Sequence, residues 1–93
     1  MIESFANADT ELLWLTGKSR RIPVNIRSSA LKNLSLLDST EELSDLRLPQ
    51  GNRLEALIGD RKGQHSIRIN LQFRICFVWR GRNAYEVEIV DYH

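Results

Sequence analysis

The segment Pro49-Gln50-Gly51-Asn52 divides a chain of 93 residues into two halves with different hydrophobic periods. Before it, Ile26, Ala30, Leu34 and Leu37, with Leu31 beside them, follow the 3.6-residue period of a helix with one buried stripe. After it, apolar side chains recur at every second position. The clearest run is Phe73-Arg74-Ile75-Cys76-Phe77-Val78-Trp79. As a strand it places Phe73, Ile75, Phe77 and Trp79 on one face and Arg74, Cys76 and Val78 on the other. Helices first and strands afterwards predict an α+β fold. The N-terminal helices should pack on one face of a mostly antiparallel sheet of four to five strands, in a single domain spanning residues 1–93.

Other signals refine this outline. Leu12, Leu13 and Leu15 predict a short first helix, with Asp9 or Thr10 as its cap and Gly17 just past its end. Pro23 forbids a continuous helix through the basic linker that follows, so Asn25 should open the second one. Ser39 and Glu42 have capping-box spacing, with a short helical turn through Leu46 beyond them. Strands are expected over 53–58, 64–70 and 73–79. In a last strand Tyr85, Val87 and Ile89 should share a face opposite Glu86 and Glu88. The run Ile2 to Phe5 can add an edge strand.

Composition excludes several classes. Hydrophobic residues at 42% and charged residues at 27% describe an ordinary globular chain, not a disordered one. The lone Cys76 rules out an intrachain disulfide and points to a reducing, cytoplasmic setting; it reads as a small buried filler. Acidic residues near the N-terminus argue against a secretory signal. The longest apolar run, Ile75 to Trp79, is far below the ~20 residues of a membrane span. Net charge of +1 hides an asymmetry: residues 53–82 hold seven basic and two acidic side chains. That excess suits a phosphate-rich partner, although solvated hairpin tips would read the same way. Arg74, in the most apolar strand, needs a partner or a wet groove; Glu86 or Glu88 across the strands would also serve.

The segments LEALIGDRKGQHSIRIN at 54–70, FRICFVWRGRNAYEVEIVDYH at 73–93 and the opening MIESF together carry a resemblance. The chain resembles the HigB branch of the RelE/ParE toxin superfamily, bacterial toxins of type II toxin–antitoxin systems. The resemblance implies a RelE-like fold and ribosome-dependent cleavage of messenger RNA. In the implied reaction the ribose 2′-hydroxyl attacks the scissile phosphate without a metal or cofactor. The implied partners are a helix-turn-helix HigA-type antitoxin, the ribosome and mRNA. Operator DNA would be reached only through the antitoxin, and no membrane is involved.

Carried over residue by residue, Arg74 matches the arginine that grips the phosphate, and Asp91, Tyr92 and His93 match the C-terminal acid–base and stacking group. Glu55 stands where the better-known pattern Leu-His-Pro-Leu-Lys-Gly-Asp has histidine, and Ile58 stands where it has lysine. Arg53, Arg61, Lys62, Arg68 and Arg80 are the expected contacts to RNA or ribosome. Loss of the lysine removes a cation that would stabilise the phosphorane, so a weakened toxin is expected, one that Ile58→Lys would strengthen. Two alternatives stay open on this reading: an attenuated relative acting mainly as an antitoxin-binding co-regulator, and a toxin of the same fold that poisons DNA gyrase.

Overall fold

The computed structural model describes residues 1–47 and 52–91. Helix α1, Ala8–Thr16, is capped by Asn7, whose Oδ1 accepts the Thr10 backbone N–H at 2.9 Å; neither Asp9 nor Thr10 caps it. Gly17 ends the helix at φ 79°, left-handed backbone that costs little without a Cβ, and its N–H reaches the Leu13 carbonyl at 2.8 Å. Helix α2, Val24–Ser39, begins one residue before Asn25, with Pro23 in the cap position. Its buried stripe is Ile26, Ala30, Leu34 and Leu37, the residues the period picked out. Ser39 does not cap a new helix. It is the last residue of α2, with its hydroxyl donating to the Leu36 carbonyl at 3.1 Å, and Thr40 is the C-cap. A 3-10 turn, Leu43–Arg47, then buries Leu46. Of the dividing segment Pro49 to Asn52, which reads as a turn, residues 49–51 lie outside the described residues.

Four strands follow: β1, Glu55–Ala56; β2, His65–Arg68; β3, Phe73–Arg80; and β4, Asn83–Asp91. They pair antiparallel in the order β1-β2-β3-β4, a meander. The first strand is much shorter than the expected 53–58. Arg53 turns into left-handed backbone at φ 44°, and a second 3-10 turn, Gly59–Arg61, starts just after Ile58. Ile2 to Phe5 does not form a continuous strand either: two isolated parallel bridges, Ile2 to Ala84 and Phe5 to Val87, join it to β4, and Ser4 Oγ accepts the Glu86 N–H between them. The Asp38 carboxylate of α2 fastens this segment by accepting the Ile2 N–H at 2.9 Å.

The register of β4 contains one irregularity. Cys76 pairs with Glu88, but Val78 pairs with Tyr85, so β4 carries one extra residue there; Glu86 absorbs it at φ 52°. The bulge reverses the alternation beyond it. Ala84, paired with Trp79, is fully buried in the core, and Tyr85 moves to the opposite face, where the Arg80 guanidinium lies 5.1 Å above its ring. Tyr85 therefore does not share a face with Val87 and Ile89, as simple alternation would have it. The core joins Leu13 of α1, the α2 stripe and Leu46 to Ile67, Ile75, Phe77 and Val87 of the sheet. Both helices thus cover one face of the sheet and leave the other to Arg74 and its neighbours.

Candidate active site

One cross-strand row organises the uncovered face. Glu55 pairs with Ser66, Ser66 with Cys76, and Cys76 with Glu88, so the four residues lie side by side across all four strands. Directly opposed residues point the same way, which puts all four side chains on this face. Arg74 belongs to the next row, between Arg68 and Val90.

Arg74 is only 7% exposed, an unusual state for a guanidinium. Burying the charge is costly unless donors are satisfied. Its Nε donates to Ser66 Oγ at 2.7 Å, and one terminal nitrogen donates to the Arg53 carbonyl at 2.6 Å. The same nitrogen lies 3.9 Å from Glu55 Oε1. Hydrogen bonds from a charged donor contribute about 1.5–3 kcal/mol each. The half-exposed Glu55 pair adds little by comparison, since surface pairs contribute about 0–1 kcal/mol. The left-handed turn at Arg53 aims its carbonyl at the arginine.

Glu88 pairs with Arg61. Arg61 Nη1 donates to Glu88 Oε1 at 2.7 Å and to Gln64 Oε1 at 3.1 Å, and Asn7 Nδ2 donates to Glu88 Oε2 at 3.4 Å. Cys76 lies between the two arginine–carboxylate pairs and is fully buried. Burial pushes its thiol pKa up; Glu88 adds to the rise, while Arg61 and Arg74 oppose it. A thiol held protonated is a poor nucleophile, so Cys76 is floor, not catalyst.

Of the residues expected from the sequence, Glu55 lies in this row, and Arg74 and Arg61 join it through Ser66 and Glu88. The row adds Ser66, Cys76 and Glu88, which sequence reasoning did not place in the site. Alternation puts Ser66 on the face opposite Ile67, but only the strand register, which pairs it with Cys76, brings it within hydrogen-bond reach of Arg74. Arg68 is opposite Arg74, with its Nε turned to the Asn70 carbonyl at 3.2 Å. Arg53 contributes its carbonyl, while its side chain is exposed, as is that of Lys62. Arg80 lies six residues along β3 from Arg74, roughly 20 Å away, and packs on Tyr85. Asp91 pairs in register with Phe73, so its side chain belongs to the face opposite Arg74. There Oδ2 accepts from Gln72 Nε2 at 3.0 Å, beside a cavity also lined by Arg21 and Thr10. Tyr92 and His93 lie outside the described residues. Ile58 is 88% exposed.

Residues 3–93 match the family described as RelE-like toxin of type II toxin-antitoxin system HigB. The chain belongs to this family. Among relatives of HigB type, it is 31% identical to an endoribonuclease HigB of Proteus vulgaris over 93 residues, the full length of both proteins. It is 45% identical to toxin HigB-1 of Vibrio cholerae over 62 residues, which are 67% of this chain and 65%, just under two thirds, of that protein. Among the described residues of this chain no helix is long and apolar enough to cross a membrane.

Proposed function

We propose that this HigB-family endoribonuclease cuts messenger RNA on the translating ribosome through Arg74 and the neighbouring row of Glu55, Ser66, Cys76 and Glu88. The ribose 2′-hydroxyl attacks the adjacent phosphorus and the bond to the 5′ oxygen breaks. The products are a 2′,3′-cyclic phosphate and a 5′-hydroxyl, with no metal required. Such a reaction needs a fixed cation at the phosphate, a base for the 2′ proton and an acid for the leaving oxygen. Arg74 is the cation. A guanidinium has five donors in a planar fork, enough to keep its anchors and engage phosphate oxygens. Glu55, half-exposed beside it, is the carboxylate suited to take the 2′ proton. Tyr92 and His93 enter by family resemblance alone as the group at the leaving-oxygen end; Asp91, which the resemblance would add, has its side chain on the opposite face and is left out of it.

The observation that carries this reading is a nearly buried arginine on the uncovered face of the sheet, anchored by Ser66 and the Arg53 carbonyl. Fixed in advance, it needs little reorganisation when charge develops. The remaining basic side chains, Arg53, Lys62, Arg68 and Arg80, serve ribosome and RNA contact. The antitoxin is of the helix-turn-helix HigA type, represses its operator and carries the toxin to that DNA; the pair works in the cytoplasm, and residues 1–93 act as one domain.

The test is expression without antitoxin, followed by mapping of RNA 5′ ends, and single-turnover cleavage on programmed ribosomes. The parent protein should arrest growth and leave cyclic-phosphate and 5′-hydroxyl ends. Arg74→Gln should lose at least ~100-fold in rate. Growth arrest without RNA cleavage would refute the nuclease reading and favour a target such as gyrase.

A further inference from the structure

Arg61 comes from the loop between β1 and β2, yet its guanidinium reaches across the uncovered face to β4. Three observations fix it there. Its Nη1 donates at 2.7 Å to Glu88 and at 3.1 Å to Gln64. Glu88 is itself held from the other side by Asn7, the cap residue of α1, at 3.4 Å. The loop backbone is tied down too, since the Gln64 N–H reaches the Arg61 carbonyl at 3.0 Å and the Lys62 N–H reaches the Gly59 carbonyl at 3.1 Å. The side chains of Arg61 and Glu88 are 35% and 21% exposed, so the pair is sheltered but open to a strand of RNA. The pair also sits at the β4 end of the row, whereas the Arg74–Glu55 pair sits at the β1 end, with Ser66 and Cys76 between them.

We infer that Arg61 is a second substrate-contacting cation of this site and that Glu88 is its positioning residue. The inference rests on the nuclease reading given above. A phosphate lying over Ser66 and Cys76 would meet Arg74 from one side and Arg61 from the other. Two cations clamp a phosphorane better than one, because its extra negative charge spreads over the equatorial oxygens. Glu88 prevents the long side chain from wandering into solvent, which removes an entropy cost from the transition state. Lys62, exposed at the tip of the same loop, has no such anchor among the bonds described. The missing lysine at position 58 is thereby replaced, and Ile58→Lys brings no large gain.

The measurement is single-turnover cleavage on programmed ribosomes, read as maximal rate and as the toxin concentration giving half that rate. Arg61→Gln should lower the maximal rate ~100-fold with little change in that concentration. Glu88→Gln should lower the rate about tenfold, Glu88→Asp should restore most of it, and the double variant should be no slower than Arg61→Gln alone. Ile58→Lys should stay within about twofold of the parent. Thermal melts check folding, and if Arg61→Gln melts out, Arg61→Lys takes its place, with the rate expected to fall at least tenfold because an ammonium held by both anchors has no second nitrogen to present to the phosphate. Parent-like cleavage by the Arg61 variant, additive loss in the double variant, or a tenfold gain from Ile58→Lys would each overturn the assignment. An inactive parent would instead refute the nuclease reading, and the role of Arg61 would fall with it.

Discussion

On one face of β3, Ile75 and Phe77 are fully buried against the α2 stripe and Leu13; on the other, Arg74 and Cys76 are almost as inaccessible although α1 and α2 both pack on the first face. The first face is closed by apolar packing, which is non-directional and accepts many side chains of suitable volume. The second holds its charged side chain with polar groups: Ser66 Oγ, the Arg53 carbonyl and the paired carboxylates Glu55 and Glu88, beside a buried Leu57 that stands outside the core cluster. Each of these polar contacts depends on a particular donor meeting a particular acceptor. The apolar face therefore carries most of the stability. The polar face holds cations where water is scarce, which is where electrostatic catalysis is most effective.

Substitutions on the two faces should separate these roles. The largest stability loss is expected for Phe77→Ala on the helix face, about 3–5 kcal/mol from lost transfer energy and the cavity left behind. For a domain with about 5–15 kcal/mol of total stability, this approaches unfolding. Chemical denaturation should show it, and any folded fraction should still cleave RNA.

Arg74→Ala should cost less, about 1–3 kcal/mol, because it leaves Ser66 Oγ and the Arg53 carbonyl without that donor. Its place on the face away from the helices would by itself spare the fold, but the arginine is almost completely buried. Cleavage should vanish at temperatures where melts show the variant still folded. A variant as stable as the parent would mean that the anchoring bonds of Arg74 contribute nothing net.

The smallest effect concerns Cys76. Its thiol pKa is raised, chiefly by burial, so the folded state holds its proton more tightly than the unfolded chain does. The stability linked to this proton is fully present below about pH 8.5, where an unfolded thiol ionises, and declines as pH rises past it. The decline cannot exceed about 1.4 kcal/mol per pH unit. Denaturant melts of parent and Cys76→Ala between pH 7 and 10 should diverge only at the alkaline end, and alkylating reagents should label Cys76 only on unfolding.

The amino-acid sequence by itself determined the change from helix to strand, the buried stripe of α2 and the division of β3 into an apolar and an arginine-bearing face. These are local periodicities, carried by residues within a few positions of one another. It also carried the family resemblance, and with it Arg74. The tertiary structure decided what depends on register and reach. The bulge at Glu86 sends Tyr85 to the uncovered face, which no alternation count could show, since one extra residue reverses every side chain beyond it. The separation of Asp91 from the Arg74 face follows from its pairing with Phe73. Glu88 meets Arg61 across 27 positions of sequence, and Arg74 finds the Arg53 carbonyl across 21, through a backbone turn that no residue pattern announces. Such contacts are selected by the packing of the whole chain, because a hydrogen bond contributes only when folding brings both partners to within about 3 Å.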